Sequence, residues 1–475
     1  MTAMLALSIV GALLCLGVAL RRSVPFLRAN LVPATLLAGL LGMVVMNAGL
    51  PRLAEGLDAE LMAVIVTQLF TLSFISIGLT GAGGGEKQAT TARSILTGAW
   101  GIGTTWALLF GLTALVGSLV ILAVGGPAGM SPFYGLLIPF GFVQGPGQAA
   151  TMGGIIEDMG WENATSVGLT FAAVGFLAAF LGGVPLARLG MRVGLARHAG
   201  TIDASVSRGY YPRDEQTESV GRVTTYPGSV DTLAMHFAVM GICYLIARGF
   251  AALLALIPGF IGETLSGLLF LSGMIAAYLV RWLMTRAGIS HLLDHGVQAR
   301  ITGFTSDFLI VASFMAVQLA VVTAWLVPIL VEALVVVVLT AAVVIFYGQR
   351  FGGSHDFERT LALYGTATGT VPTGIALARI VDPGMKTTTI PELGMMNIAA
   401  MLATPVMIIV PGVFSGEIPY PVALWLIAAF VAAIVVLQLL TRVVRRRTYS
   451  LRTGPVGGSS TAVQTAATTP GEDDR

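Results

Sequence analysis

Apolar runs of about twenty residues, separated by short polar stretches, repeat along the whole chain. A helix needs roughly 20 residues to cross the hydrocarbon core of a bilayer, so each run predicts a membrane span. The pattern gives eleven: Thr2 to Leu20, Leu31 to Leu50, Leu61 to Leu79, Ser94 to Val124, Asn163 to Leu189, Ser229 to Leu256, Ile261 to Trp282, Ile301 to Val322, Trp325 to Tyr347, Ile390 to Val413 and Pro421 to Leu440. Two further apolar segments, about 130–160 and 356–382, are interrupted too often by Gly and Pro to be ordinary spans. The run from Ser94 is long for one crossing.

Composition makes the same assignment. Hydrophobic residues are 55% of the 475, charged residues 11%, and mean hydropathy is +0.86. Soluble domains are about a quarter charged, so the fold class is an all-α polytopic membrane protein. The two cysteines, Cys15 and Cys243, sit in apolar runs and read as small hydrophobes. In "MTAMLALSIVGALLCLGVALRR" the arginines follow the apolar core, the polarity of a first span with its N-terminus outside. No HExxH, Walker loop, GxSxG or pair of catalytic acids occurs in a loop. No enzyme activity, organic cofactor or nucleic-acid partner is therefore expected.

Positive charge tests the layout, since Lys and Arg are retained on the cytoplasmic side. With the N-terminus outside and both broken segments entering and leaving on one face, only Arg52 of the 26 lysines and arginines is plainly outside, and Arg248 is near the outer end of its helix. The order is then four spans, a Gly-rich re-entrant segment and a fifth span, followed by the same order again. An odd number of crossings inverts the second unit. The expected domains are a first repeat over 1–189, a cytoplasmic linker over 190–228, a second repeat over 229–413, an additional helix over 414–449 and a low-complexity cytoplasmic tail over 450–475. The expected setting is a cytoplasmic membrane, with the N-terminus outside and the C-terminus in the cytoplasm.

The tips of the broken segments are "VQGPGQAAT", Val143 to Thr151, and "GTATGTVPTG", Gly365 to Gly374. Backbone outside a helix at membrane depth must be surrounded by protein or a water-filled cavity. A helix restarting after each tip aims its N–H groups and partial positive charge at the midplane, which suits a carboxylate. Carbonyls and the hydroxyls of Thr366, Thr368, Thr370 and Thr373 suit Na⁺, a hard cation. Expected substrate contacts are Gly145, Gly147, Gln148, Thr151, Gly369, Thr370 and Pro372; expected Na⁺ ligands are Asn163, Thr165, Thr366, Thr373 and Asp307. An Asp within a membrane helix costs about 2.5–3.5 kcal/mol to insert and is seldom idle. Asp307 therefore reads either as a charge for a cation or proton site or as a capping group. Glu332 and His236 read as structural, and His198 as part of a solvated linker.

At these residues the chain resembles the bacterial sodium/glutamate symporter family. The resemblance is carried by "GWENATSVGLTFAAVGFLAAFLGGVPLAR" over Gly160 to Arg188, by "GTATGTVPTGIALA" and by "VPATLLAGLLGMV", and runs from the first span through the tenth. Gly145 and Gly147 match tip glycines, Asn163, Ala164 and Thr165 an N-A-T run, and Gly369, Pro372, Thr373, Ile375 and Ala376 the second motif. Three positions depart from the pattern: Pro146 replaces a histidine, Leu377 an asparagine, and Asp307 stands in place of serine. The resemblance implies Na⁺-coupled uptake of glutamate or a related small organic anion by two inverted five-helix repeats, in a homodimer with an elevator-like moving domain. The alternatives are a proton-coupled carrier or exporter using Asp307 or Glu332, and, in another class, an ion channel.

Overall fold

The computed structural model describes residues 2–29, 31–49, 56–80, 89–196, 221–383 and 386–456, which form nineteen α-helices and one small β-hairpin. Arg52, Lys87, Arg197, His198, Arg208, Arg213 and the tail beyond residue 456 lie outside them. In chain order the first helices are α1 (Thr2–Ser23), α2 (Pro25–Ala29), α3 (Ala34–Asn47), α4 (Ala59–Thr80), α5 (Ala89–Val124), α6 (Pro146–Asp158) and α7 (Ala164–Arg192). After the linker come α8 (Thr232–Leu254), α9 (Phe260–Gly267), α10 (Leu269–Arg286), α11 (His295–Met315), α12 (Leu319–Ala324) and α13 (Leu326–Gly348). The last are α14 (Asp356–Ala367), α15 (Val371–Val381), α16 (Thr389–Met395), α17 (Asn397–Ala400), α18 (Thr404–Phe414) and α19 (Tyr420–Leu440). Residues 449–450 and 454–455 pair as the hairpin.

The protein is an all-α polytopic membrane protein. Among the described residues α1, α4, α5 over Ile95–Val124, α7, α8, α13 and α19 are each long and apolar enough to cross a bilayer, and α9 with α10, bent by 59°, makes an eighth span. The long run from Ser94 is one unbroken helix. The other three expected spans are shorter or broken. α3 has 14 residues. The run from Ile301 starts earlier, at His295, and stops at Met315. Its break is satisfied from other helices: the Asn47 amide donates to Val317 O at 2.9 Å and accepts from Leu319 N at 2.9 Å, while Gln318 N donates to Ser166 Oγ at 3.0 Å. The run from Ile390 divides into α16, α17 and α18, the last restarting at Thr404 with Pro405, which has no N–H to give, in its first turn.

Small residues set how the helices pack, as expected where lipid gives helices no hydrophobic drive to associate. α3 lies on α11 through Gly39 and Gly42, where an added Cβ would come within 2.6 Å of Phe314 and of Met315. α10 lies on α4 in the same way. A Cβ added at Gly78 would come within 2.7 Å of Ala277, and one at Gly273 within 2.9 Å of Ile75. α4 packs on α11, and α5 on α13. His236 in α8 is satisfied, with Nδ1 donating to Thr232 O at 2.7 Å and Nε2 accepting from Asp294 N at 2.9 Å. Cys243 is buried, whereas Cys15 is on the exposed face of α1.

The base of α14 holds a buried charge network. Arg359 donates to Glu392 from Nε at 2.7 Å and from Nη2 at 2.5 Å, and from Nη1 to Asp356 at 3.1 Å. Asp356 also accepts from Gly352 N, Gly353 N and the Thr448 hydroxyl, at 2.8, 2.9 and 2.8 Å. The network ties α14 to α16 and to the chain leading into the hairpin. Removing one partner of a buried pair leaves a charge in a medium that cannot solvate it. Glu392→Ala is therefore expected to destabilise the detergent-purified protein by about 3–5 kcal/mol in thermal or denaturant unfolding. Arg359→Met with Glu392→Leu should recover most of that loss.

Candidate functional site

Two broken helices meet in the interior. The first descends through a 3₁₀ turn, Pro132–Leu137, and a π-helical turn, Pro139–Val143, leaves the helix at Gln144 and Gly145, and restarts as α6. The second is α14, a short break at Thr368 to Thr370, and α15. The stretch outside a helix is narrower than either tip motif. Gly147 to Thr151 and Thr366 are already helical. Pro146 at the first turn of α6 and Pro372 at the first turn of α15 start those helices where an N–H has no partner to lose.

The tips touch. Gly145 has φ +89°, a conformation other residues rarely adopt, and a Cβ there would be 2.5 Å from Thr370 Cγ2 and 2.8 Å from Gly369 O. Gly175 of α7 backs the junction: its Cβ would be 2.5 Å from Thr368 O and 3.3 Å from Phe142. Gly147 lies flat against the Phe70 ring of α4. The Trp106 indole N–H donates to Val143 O at 3.2 Å, satisfying one carbonyl of the first tip.

A cavity of about 100 Å³ opens at the junction. Val143 and Gln144 line it from the first tip; Thr366, Thr370 and Val371 line it from the second. Phe70 and Phe74 of α4, Trp106 of α5 and Phe270 of α10 form facing walls. The first N–H groups of α6 and α15 have no carbonyl one turn back to bond, so each helix start offers donors and the positive end of its dipole. Gln148, in the first turn of α6, is fully buried, and neither atom of its amide has a partner. The Gln144 Oε1 is likewise unpartnered. Such groups are expensive to bury unmet.

The hydroxyls differ in what they have left to give. Thr151 donates to Gly147 O at 2.8 Å and Thr366 to Ala362 O at 2.8 Å, each bonding one turn back in its helix. Thr370 and Thr373 share a bond of 3.1 Å. Their oxygens keep lone pairs, which a cation can use. Gly145, Gly147, Gln148, Gly369, Thr370, Thr373 and Thr366 are thus gathered at the junction, while Pro372 stands on an exposed face of α15.

Three expected ligands are elsewhere. Asn163 and Thr165 start α7, and Thr165 lies against Gly153 in the middle of α6, roughly 10 Å along that helix from its first residue. There Thr165 donates from N and Oγ1 to Glu157 at 2.9 and 2.7 Å, an arrangement that caps α7. Asp307 lies on the exposed face of α11 with Gly303 and Phe304. Phe70, Trp106, Gln144, Gly175 and Phe270 were not singled out in the sequence. Gln144 stands inside the tip motif itself, and its polarity in an apolar run was the available signal.

Gly145→Ala forces a side chain into the tip contact and the backbone out of its conformation. Such strain costs about 1–3 kcal/mol, so transport should fall roughly tenfold. Thr370→Ser, which removes the opposing methyl and keeps the hydroxyl, should restore part of the loss. Uptake measured against protein amount and thermal stability checks both.

The sequence model of a family described as the sodium/glutamate symporter matches residues 1–381, ending on the last residue of α15 and so including both tips. No curated protein matches the chain. With four-fifths of its length matched, including every residue of the tip junction, the chain belongs to the sodium/glutamate symporter family.

Proposed function

We propose that this membrane protein carries a small organic anion, glutamate or a relative of it, into the cell with Na⁺ by alternating access. The observation that carries this reading is the meeting of two broken helices, tip to tip, beside one cavity lined by Val143 and Gln144 of the first and by Thr366, Thr370 and Val371 of the second. The substrate carboxylate docks on the N–H groups at Gly147, Gln148, Val371 and Thr373, with the Gln148 amide as a further partner. Na⁺ is held by neutral oxygens: tip carbonyls and the hydroxyls of Thr366 and Thr373. The family supports Na⁺ as the coupling ion.

The two halves are inverted repeats with re-entrant tips. The paired packings of α3 on α11 and of α10 on α4, with α4 on α11 and α5 on α13 between them, support a two-fold relation. The N-terminus is then outside and the C-terminus cytoplasmic. In the elevator scheme the tips and α7 move against a scaffold of the first helices of each half, through which a homodimer forms. One tip is tightly held, with Gly147 on Phe70, while α15 keeps Pro372, Ala376 and Arg379 exposed. Such an imbalance suits one end state of an alternating cycle.

A proton-coupled carrier is the second reading. It is favoured by Glu332, which is fully buried in α13 beside Gly117 of α5 with neither carboxyl oxygen partnered. Uptake into proteoliposomes under separately imposed Na⁺ and pH gradients separates the two. The proposal expects accumulation with the Na⁺ gradient alone; accumulation with the pH gradient alone would reassign the coupling ion. Thr373→Val keeps the side chain's volume and removes its hydroxyl. The half-saturating Na⁺ concentration should rise roughly tenfold, as loss of one charge-assisted contact predicts. An unchanged Na⁺ dependence would remove Thr373 from the ligand set.

A further inference from the structure

We infer that a second cavity, at the base of α14, binds a phosphate-bearing anion, the headgroup of an anionic phospholipid or free phosphate, at a site separate from the tips.

This cavity measures about 440 Å³, against about 100 Å³ at the tips. It lies between the early turns of α5, the loop before α14 and the chain leaving α19. The 12 residues of α14 put it roughly 18 Å from the tip break. Trp100, Ser354, His355, Arg359, Arg442 and Arg445 are on its wall, and no Asp or Glu lines it among the described residues.

The three arginines are not equivalent. Arg359 is buried and engaged with Asp356 and Glu392, which stand behind it. Arg442 and Arg445 are exposed, and neither makes an ion pair with a carboxylate among the described residues. Their backbone is nevertheless held. Arg442 N donates to Leu439 O at 3.1 Å and Arg445 N to Arg350 O at 2.8 Å. The Arg445 stem lies against Gly352, where a Cβ would come within 2.4 Å of its Cδ. Two guanidinium groups carried on fixed backbone, with no acid to neutralise them, suit the oxygens of a phosphate.

The membrane brings phosphate to this rim. Leu96 of α5 and Leu439 and Leu440 of α19 are exposed and adjoin the wall residues Thr97 and Thr441, which gives acyl chains an apolar path beside the cavity. Trp100, whose indole N–H donates to Thr441 Oγ1 at 3.2 Å, is a residue type enriched where membrane meets water. Basic pockets between membrane helices on the cytoplasmic side take anionic headgroups. A choline headgroup would bring a cation up to the same arginines, so it fits less well.

The test is thermal unfolding of the detergent-purified full chain, titrated with phosphatidylglycerol, with phosphatidylcholine, and with inorganic phosphate against chloride at equal ionic strength. The wild type is compared with Arg442→Gln/Arg445→Gln and with Arg286→Gln/Arg300→Gln, an exposed pair away from the cavity that loses the same charge. Phosphatidylglycerol should raise the wild-type Tm where phosphatidylcholine does not. Its half-effective concentration should rise at least about tenfold in the cavity pair and by less than about twofold in the control pair, since only the first loses the charge-assisted contacts. Each midpoint is read from that variant's own baseline, so a change in stability alone does not imitate the effect. Stabilisation by inorganic phosphate through the same two arginines would identify the free anion as the source and support the inference. A response that treats the two lipids alike and phosphate like chloride, or one that the cavity pair keeps, would overturn it.

Discussion

Backbone that leaves its helix in the middle of an apolar bundle has to find partners in protein, because no solvent is at hand to supply them. The junction of the two tips is where this chain meets that demand. Gly145 can approach Gly369 and Thr370 only because it has no side chain. Gly175 clears room for Thr368 O, and Trp106 reaches across from α5 to bond Val143 O. What these neighbours do not satisfy includes the Gln148 amide, buried in the first turn of α6 without a partner. The site is thus the unpaid remainder of a break that the rest of the fold makes tolerable.

Bases held by charge and tips held by packing follow from the same constraint. α14 is fixed at its start by Arg359, Asp356 and Glu392, and α6 is fixed at its end by Glu157, which caps α7 through Thr165. Charge-assisted bonds of this kind are strong and geometrically specific. The tips are held mostly by close van der Waals contact between glycines and their neighbours, which is individually weak. An element anchored by charge at one end and held by packing alone at the other can shift that packing without unfolding. In the proposed cycle that property lets loaded tips change the side from which they are reached.

The helical membrane fold was legible because period and length suffice to read it. Runs near Thr2, Leu61, Asn163, Ser229 and Trp325 each became one long apolar helix. Boundaries were less legible where distant side chains decide them. The helix from His295 ends at Met315 because Asn47 and Ser166 wait for its freed backbone groups, and no local signal announces that. Gly and Pro marked the breaks at both tips, since each changes what the backbone can do within one or two residues. The walls of the cavity were not marked. Phe70, Phe270 and Met407 look like any other apolar residue in a span, and only folding brings them opposite the tips. Resemblance alone drew Asn163 and Thr165 towards the site. In the structure Thr165 bonds Glu157 and lies against Gly153, about two turns along α6 from the tip.

The central claim is that both tips share one pocket reached from opposite sides in turn. Single cysteines at Gln144 and at Thr370, in a protein with Cys15 and Cys243 replaced by serine, can be probed with a membrane-impermeant thiol reagent added to either side of oriented vesicles. The account predicts that each position reacts from both sides, and that saturating Na⁺ with a transported substrate protects the two together. Reaction of each position from one side only, the same under every condition and indifferent to Na⁺ and substrate, would contradict it.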